Sequence, residues 1–300
     1  MYPTVLGIAD FRVSPPAHFD AAADLQIAEV LAEEEKELDF EALLHLYYRL
    51  RREPSEELHQ AHLAHLGGEE DQARAALEQV ELRRAFAPGE AVLEVGCGFG
   101  QYLAVAAERV DQVTGVDLSL PFLVLARRRI EGRGLLVAAE AERLPFRDGS
   151  FAAVIAADVI EHLADPQTAL EEMGRVLLSG APLFLSTPNR FSLAPEPHVG
   201  LWGVGFLPRP WANRYVRRRR GIFYDDVRNV SVFALRRALR ACFPGRAQVL
   251  LPGLSPWQME HFSPLKRRLA RAYLALRSLP LVRNLFYLWG PFFHVVAVKR

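Results

Sequence analysis

Three glycines at alternate positions, Gly96, Gly98 and Gly100, follow a short apolar run, residues 91–95, and lead into residues 102–110 with helical spacing. A strand, a glycine turn and a helix start let a ligand approach bare main chain beside unpaired N–H groups. That makes the wall of a nucleotide-type pocket. A second apolar run, residues 112–116, ends in Asp117, 21 residues after Gly96, where a carboxylate would meet ribose hydroxyls. Histidine is the other residue type here that could do chemistry. His162, in Asp158-Val-Ile-Glu-His-Leu163, is the first candidate for a base, because an ordinary imidazole with a pKa near ~6.5 accepts a proton at neutral pH. His198, in Glu196-Pro-His-Val-Gly200, is the second.

Positioning these residues requires an alternation of strands and helices with short connections, the pattern of a parallel sheet covered on both faces. Strands are expected at 91–95, 112–116, 134–138, 152–157 and 182–186, with helices over 102–109, 121–131 and 166–178. Pro121 and Pro166 suit early helix positions, where a missing N–H costs little. After residue 186 the pattern changes. Residues 190–230 are rich in Pro, Gly, Trp and Arg, a helix is expected at 232–242, and sixth and seventh strands at 248–251 and 294–298 enclose a further insert, 252–291. Both inserts leave carboxyl ends of strands, the edge where ligands bind in open α/β sheets. The first insert carries Trp202 and reads as a lid over an apolar or amphipathic substrate.

Ahead of the first strand, residues 1–20 hold three prolines and no period, which predicts an irregular arm. Residues 21–53 predict one or two amphipathic helices, Pro54 and the Gly67-Gly68 pair a break, and residues 70–86 a third helix. Tyr47 and Tyr48 are expected to pack within these helices. Residues 1–86 thus form an arm and helical extension, and residues 87–300 the main domain.

From Phe86 to Asn189 the chain resembles a class I S-adenosylmethionine-dependent methyltransferase, of the type 11 and ubiquinone-pathway O-methyltransferase group. The resemblance is carried by Ala91-Val-Leu-Glu-Val-Gly-Cys-Gly-Phe-Gly-Gln101, Asp117, Ala139-Glu-Ala-Glu-Arg-Leu-Pro-Phe146, residues 150–158 and residues 175–186. A dinucleotide dehydrogenase would want glycine where Gln101 stands. The resemblance implies a Rossmann-like, doubly wound, seven-stranded, mostly parallel sheet with the helical extension and two inserts added.

It also implies S-adenosylmethionine as cofactor. Gly96, Gly98 and Glu94 would hold the methionine end, with Gln101 and Asp158 counted in the same set. Asp117 would hold the ribose, Leu118 would pack on adenine, and Glu140 and Ala141 would meet its edge. Asn189, His198 and Trp202 are expected beside the acceptor. Asp158, Glu161 and His162 resemble the Glu-x-x-Glu-His segment that can hold a divalent metal in ubiquinone-pathway relatives, although no metal is expected here. The implied reaction is in-line methyl transfer to a small or amphipathic acceptor, quinone-like, glycan or lipid-linked, with oxygen favoured. The rivals are a nucleic-acid or protein methyltransferase and a non-catalytic cofactor-binding partner.

The 300 residues balance 36 Lys and Arg against 36 Asp and Glu. Through residue 172 the count is 15 basic to 32 acidic, and from residue 173 it is 21 to 4. A basic second half suits an anionic substrate or membrane surface, and residues 265–279 predict a basic amphipathic helix. Basic residues interleaved with aliphatics, with no recognised motif, make nucleic acid an unattractive partner. No leader or membrane span is expected, and Cys97 and Cys242 read as reduced, buried thiols. The expected location is therefore cytoplasmic, with peripheral contact at the inner membrane surface.

Overall fold

The computed structural model describes residues 3–16, 19–51 and 56–300. All seven expected strands form: β3 (Ala91–Val95), β4 (Gln112–Asp117), β5 (Leu135–Ala138), β6 (Ala153–Ala157), β7 (Pro182–Pro188), β8 (Ala247–Leu250) and β9 (Phe292–Val298). Two more precede them, β1 (Thr4–Val5) and β2 (Ile8–Asp10), so the sheet has nine strands in the order β1-β2-β5-β4-β3-β6-β7-β9-β8. The pairings along β2-β5-β4-β3-β6-β7 are all parallel, while β1 is antiparallel to β2 and β9 is antiparallel to both β7 and β8.

The arm expected to be irregular is thus a hairpin docked on the sheet edge. Leu6 and Gly7 both have positive φ, 53° and 78°, the backbone that a two-residue hairpin turn requires. Ala9 and Asp10 pair with Val137 and Ala138, and Ile8 is buried. The hairpin gives partners to backbone groups of β5 that would otherwise form an open edge.

Three helices follow, α1 (Ala21–Glu34), α2 (Phe40–Arg51) and α3 (Glu56–Glu81). Pro54 lies outside the described residues, but the break expected at Gly67-Gly68 does not occur, since α3 runs through it. Gly68 serves close packing instead: a Cβ there would lie 2.5 Å from Cε3 of Trp257. The third helix accordingly starts earlier and ends earlier than expected. Within the main domain come α4 (Gln101–Ala106), α5 (Leu120–Arg129), α6 (Pro166–Val176), α7 (Arg209–Arg220), α8 (Val232–Cys242), α9 (Pro256–His261), α10 (Pro264–Leu276) and α11 (Pro280–Trp289). The first insert therefore contains a helix, α7, and the second three. Pro280, immediately after the helix expected over 265–279, stands at the start of α11.

Alternation along the strands divides the core. Val92, Val113 and Ile155 face one side and pack with Leu31, Leu44, Tyr47 and Leu77 of the extension and with α4 and α5. Leu93, Val154 and Leu185 face the other and pack with Leu170, Met173, Leu235 and Leu239 of α6 and α8. The first insert has a small cluster of its own around Val204, Val216 and Tyr224. Both cysteines are free thiols, Cys97 buried as expected and Cys242 only partly so. Among the described residues no helix is long and apolar enough to cross a membrane.

Candidate cofactor and acceptor site

The glycine turn runs from the end of β3 to the start of α4. Gly96 has φ 68°, and a Cβ there would lie 2.4 Å from Cγ2 of Val159, so only glycine fits. Gly98, at φ 47°, has nothing within 4 Å of where a Cβ would stand, which leaves open space beside the main chain. The Gly96 and Cys97 N–H groups donate to the Val116 carbonyl at 2.7 and 2.9 Å, locking the turn to β4. Asp117 completes the lock: its Oδ2 accepts from the Gly98 N–H and its Oδ1 from the Ser119 N–H, each at 2.9 Å. Burial raises its carboxyl pKa, against those backbone hydrogen bonds.

Beneath the turn, the buried Glu94 accepts from the Leu103 N–H of α4 at 2.9 Å. Burial, reinforced by the charge of Asp117, holds its pKa well above the usual carboxylate range. Gln101 buries an amide oxygen, Oε1, that has no protein partner. Phe99, in the middle of the turn, meets Phe122 edge-on with centroids 4.9 Å apart and touches the rings of Tyr47 and Tyr48, so both tyrosines pack against the turn.

The next two loops are held by the N-terminal extension. Arg12 donates to the Leu118 carbonyl at 3.1 Å and pairs with Asp10 and Asp24. Asp24 accepts from the Ser119 hydroxyl at 2.8 Å and the Leu120 N–H at 3.0 Å. Glu140 Oε1 accepts from the Val13 and Ser14 N–H groups at 2.9 and 2.8 Å, while its Oε2 is buried without a protein partner. Ala141, beside it, is buried. Two orphaned oxygens, on Gln101 and Glu140, and the open space at Gly98 are what an adenosyl amino acid with an amine at each end would satisfy.

The far edge of the site lies at the carboxyl ends of β6 and β7. Asp158 has φ 54° and accepts from the Ser186 hydroxyl at 2.8 Å. Desolvation by the surrounding protein raises its carboxyl pKa, against the Ser186 hydrogen bond and the charge of His198. Glu161 is fully buried. Its Oε2 accepts from the Thr187 hydroxyl at 3.0 Å, and its Oε1 has no hydrogen-bond partner and lies 4.0 Å from His198 Nε2. Burial, then the neighbouring charge of Asp158, raises the Glu161 pKa.

His198, from the first insert, comes down onto this edge with Nδ1 2.6 Å from Glu196 Oε1. Glu196 is itself fixed by the Val199 N–H at 2.9 Å and the Asn229 amide at 3.1 Å. Burial would raise the Glu196 carboxyl and lower the His198 imidazole. Their mutual contact, joined by the Asn229 and Val199 hydrogen bonds on Glu196 and by the charges of Glu161 and Asp158 on His198, works against burial, so Glu196 lies below and His198 above its ordinary value. The exposed His162 meets the His198 ring edge-on at 4.9 Å. Ligand atoms of Glu161, His162 and His198 all lie within 4.8 Å of one another, so these three could share a divalent ion. Asp158 is not in that group.

A family model described as "Methyltransferase domain" matches residues 93–185. The chain is 39% identical over 157 residues to a demethylmenaquinone methyltransferase of Thermus thermophilus, covering 50% of this chain and 70% of that one. It belongs to the class I S-adenosylmethionine-dependent methyltransferases. A ubiquinone biosynthesis O-methyltransferase of Idiomarina loihiensis is 36% identical over 126 residues, 40% of this methyltransferase and 48% of that one. An uncharacterized 37.1 kDa protein of a Streptomyces fradiae transposon is 40% identical over 114 residues, 35% and 32% of the two chains. The match thus spans a third to a half of those two relatives. Two solved structures share the fold. A Haloferax volcanii protein in complex with the Trm112 methyltransferase activator is 17% identical, with TM-score 0.50 over 78% of this chain and 94% of that one. Phosphoethanolamine N-methyltransferase 2 of Haemonchus contortus with S-adenosyl-L-methionine is 20% identical, with TM-score 0.50 over 76% and 52%.

Within this methyltransferase the two groups of sequence-selected residues settle differently. Gly96, Gly98, Asp117 and Glu94 are tied into one turn, while Leu118 and Glu140 are anchored by the extension. On the acceptor side, the Asn189 amide is taken up internally: Nδ2 donates to the Leu288 and Gly290 carbonyls at 3.0 and 2.8 Å, and Oδ1 accepts from the Phe191 N–H at 3.1 Å. Trp202 stands 62% exposed with its indole N–H on the Leu193 carbonyl. Arg12, Asp24 and Glu196 were not selected from sequence. Glu196 had a local signal, a carboxylate two residues from His198, whereas Arg12 and Asp24 meet their partners across about a hundred residues of chain.

Proposed function

We propose that this protein methylates an oxygen of a small or amphipathic acceptor, a phenol or alcohol of quinone-like, glycan or lipid-linked type. The observation that supports this reading is the Glu196–His198 pair placed against Glu161 at the end of β6. A hydroxyl must lose its proton as it is methylated, and an imidazole backed by a carboxylate is suited to receive it. When bound, S-adenosylmethionine supplies an electrophilic methyl whose bond to sulfur breaks as the bond to the acceptor oxygen forms. His198 takes the acceptor proton at Nε2, and Glu196 on Nδ1 holds the ring and stabilises the resulting cation. His162 lines the same edge beside it.

In this reading Asp117 accepts from the ribose hydroxyls, the Leu118 side chain covers adenine, and Glu140 Oε2 with the Ala141 N–H meets the adenine edge. Glu94, Gln101, Gly96 and Gly98 surround the amino-acid end, and Asp158 borders the methyl. Asn189 is a positioning residue. Holding both reactants in line contributes much of the acceleration, on the order of 7–11 kcal/mol in well-oriented systems. Residues 1–86 cover the adenosine loops, residues 87–300 form the catalytic domain, and the inserts 190–230 and 252–291 enclose the acceptor. The names of two relatives, a ubiquinone biosynthesis O-methyltransferase and a demethylmenaquinone methyltransferase, support testing quinone-like acceptors first.

The test is incubation with methyl-labelled cofactor and a panel of phenols, quinols and lipid-linked alcohols, read by mass spectrometry. A methyl ether made by the wild type and lost with His198→Ala is expected. Products methylated only at nitrogen or carbon would refute the oxygen reading.

A further inference from the structure

We infer that α10 and α11 are a docking surface for an anionic lipid bilayer. On α10, Leu265, Leu269, Ala272 and Leu276 stand four, three and four residues apart, one stripe of a helix, and all are exposed. Leu281, Leu285 and Trp289 make a second exposed stripe on α11. Leu265 is 68%, Leu269 62% and Leu281 84% exposed, far more outward leucine than a solvated helix face carries.

Charge identifies what covers the stripes. Residues 261–300 contain eight Lys and Arg and no Asp or Glu. Two of those arginines turn inward: Arg267 donates to the Met259, Glu260 and Phe262 carbonyls, and Arg277 to the Pro252 carbonyl. Lys266, Arg268, Arg271 and Arg283 remain exposed beside the leucines. Apolar side chains flanked by four exposed cations, with Glu260 before α10 the last acidic residue in the sequence, complement a layer of hydrocarbon beneath anionic headgroups. Nucleic acid would be met by the cations and leave the leucines in water. The four-arginine run of α7 is less suited, since Arg220 donates to the Val199 carbonyl and holds the His198 loop.

The surface joins the acceptor edge directly. Asn189, at the end of β7, grips the last turn of α11 through the Leu288 and Gly290 carbonyls, and the Leu193 N–H of the first insert donates to the Trp289 carbonyl at 3.0 Å. A bilayer seated on the stripes would lie beside the site and deliver a lipid-borne acceptor to it. The inference deepens the acceptor reading, and calorimetric binding of S-adenosylmethionine keeps the failure of one separate from failure of the other.

The full chain is sedimented with vesicles of phosphatidylcholine alone and of phosphatidylcholine mixed with phosphatidylglycerol. Sedimentation with the mixed vesicles only is expected. The double variant Leu269→Glu, Leu281→Glu should abolish it while cofactor binding and circular dichroism stay unchanged. Arg268→Gln and Arg271→Gln should each lower partitioning by roughly fivefold, and added salt should weaken binding. Equal sedimentation with both vesicle types or with neither would overturn the inference. So would indifference to the leucine variants, or a self-association in analytical ultracentrifugation that those variants break.

Discussion

The imidazole of His198 is held 2.6 Å from Glu196 Oε1 through Nδ1, which leaves Nε2 directed toward Glu161 at 4.0 Å. The carboxylate raises the imidazole above its ordinary value of 6.5. A proton acceptor must be neutral, so kcat should climb as pH rises through that raised value and then level. Glu196→Gln leaves burial, which lowers the imidazole, and removes the nearest of the carboxylates that raise it, with the charges of Glu161 and Asp158 still in place, so the inflection should move to lower pH and the plateau should drop. His198→Ala should cost on the order of 10²–10⁴ in kcat. An inflection that stays in place in Glu196→Gln would show that His198 does not set it.

Asp117 ties the turn at Gly98 to the loop at Ser119 and is assigned to the ribose. Asp117→Ala removes an ionised acceptor, whose hydrogen bonds are worth about 1.5–3 kcal/mol each. The affinity for S-adenosylmethionine should fall on the order of a hundredfold. Calorimetry on the folded variant checks this, and an unchanged affinity would remove Asp117 from the cofactor site.

Asn189 joins the end of β7 to the last turn of α11. Asn189→Ala takes the amide from one buried carbonyl, Gly290, and one half-buried carbonyl, Leu288, each costing about 1–3 kcal/mol at most. Urea unfolding should show a loss of about 2–5 kcal/mol, with KM for the acceptor rising more than KM for the cofactor.

His294 of β9 packs edge-on against Phe184 at 5.2 Å, and burial holds its pKa low, at about 4. An unfolded chain binds this proton near 6.5, well before the folded one does. The contribution to stability is therefore complete above pH 6.5 and is lost as pH falls toward 4, up to about 3 kcal/mol. His294→Phe should flatten the dependence of the urea midpoint on pH across that window.

The strands of the main domain were legible because each is an apolar run closed by a turn or a helix start. The glycine turn was legible because its spacing is local. The hairpin at residues 4–10 was not, since strands of two and three residues carry no period and owe their existence to the edge of β5. Gly67-Gly68 misleads for a related reason: an indole 189 residues onward explains the small side chain at Gly68, and nothing nearby in the chain does. What sets His198 apart from His162 is its contact with Glu196, two residues away in the sequence, whereas its place beside Glu161 and His162 arises only when the first insert folds over the end of β6. Asn189 was placed beside the acceptor by its position after β7, and its actual partners lie about a hundred residues away.

Leu31, Leu44 and Leu77 of the first three helices lie in the same apolar cluster as Val92 and Ile155 of the central strands, while Arg12, Asp24 and the Val13 and Ser14 amides grip the loops at Leu118, Ser119 and Glu140. The extension is therefore no detachable appendage. A chain trimmed to begin at residue 87 would bare one side of its sheet and release the very loops assigned to adenosine, so a minimal catalytic fragment cannot be cut from this protein at the point where its family signature begins.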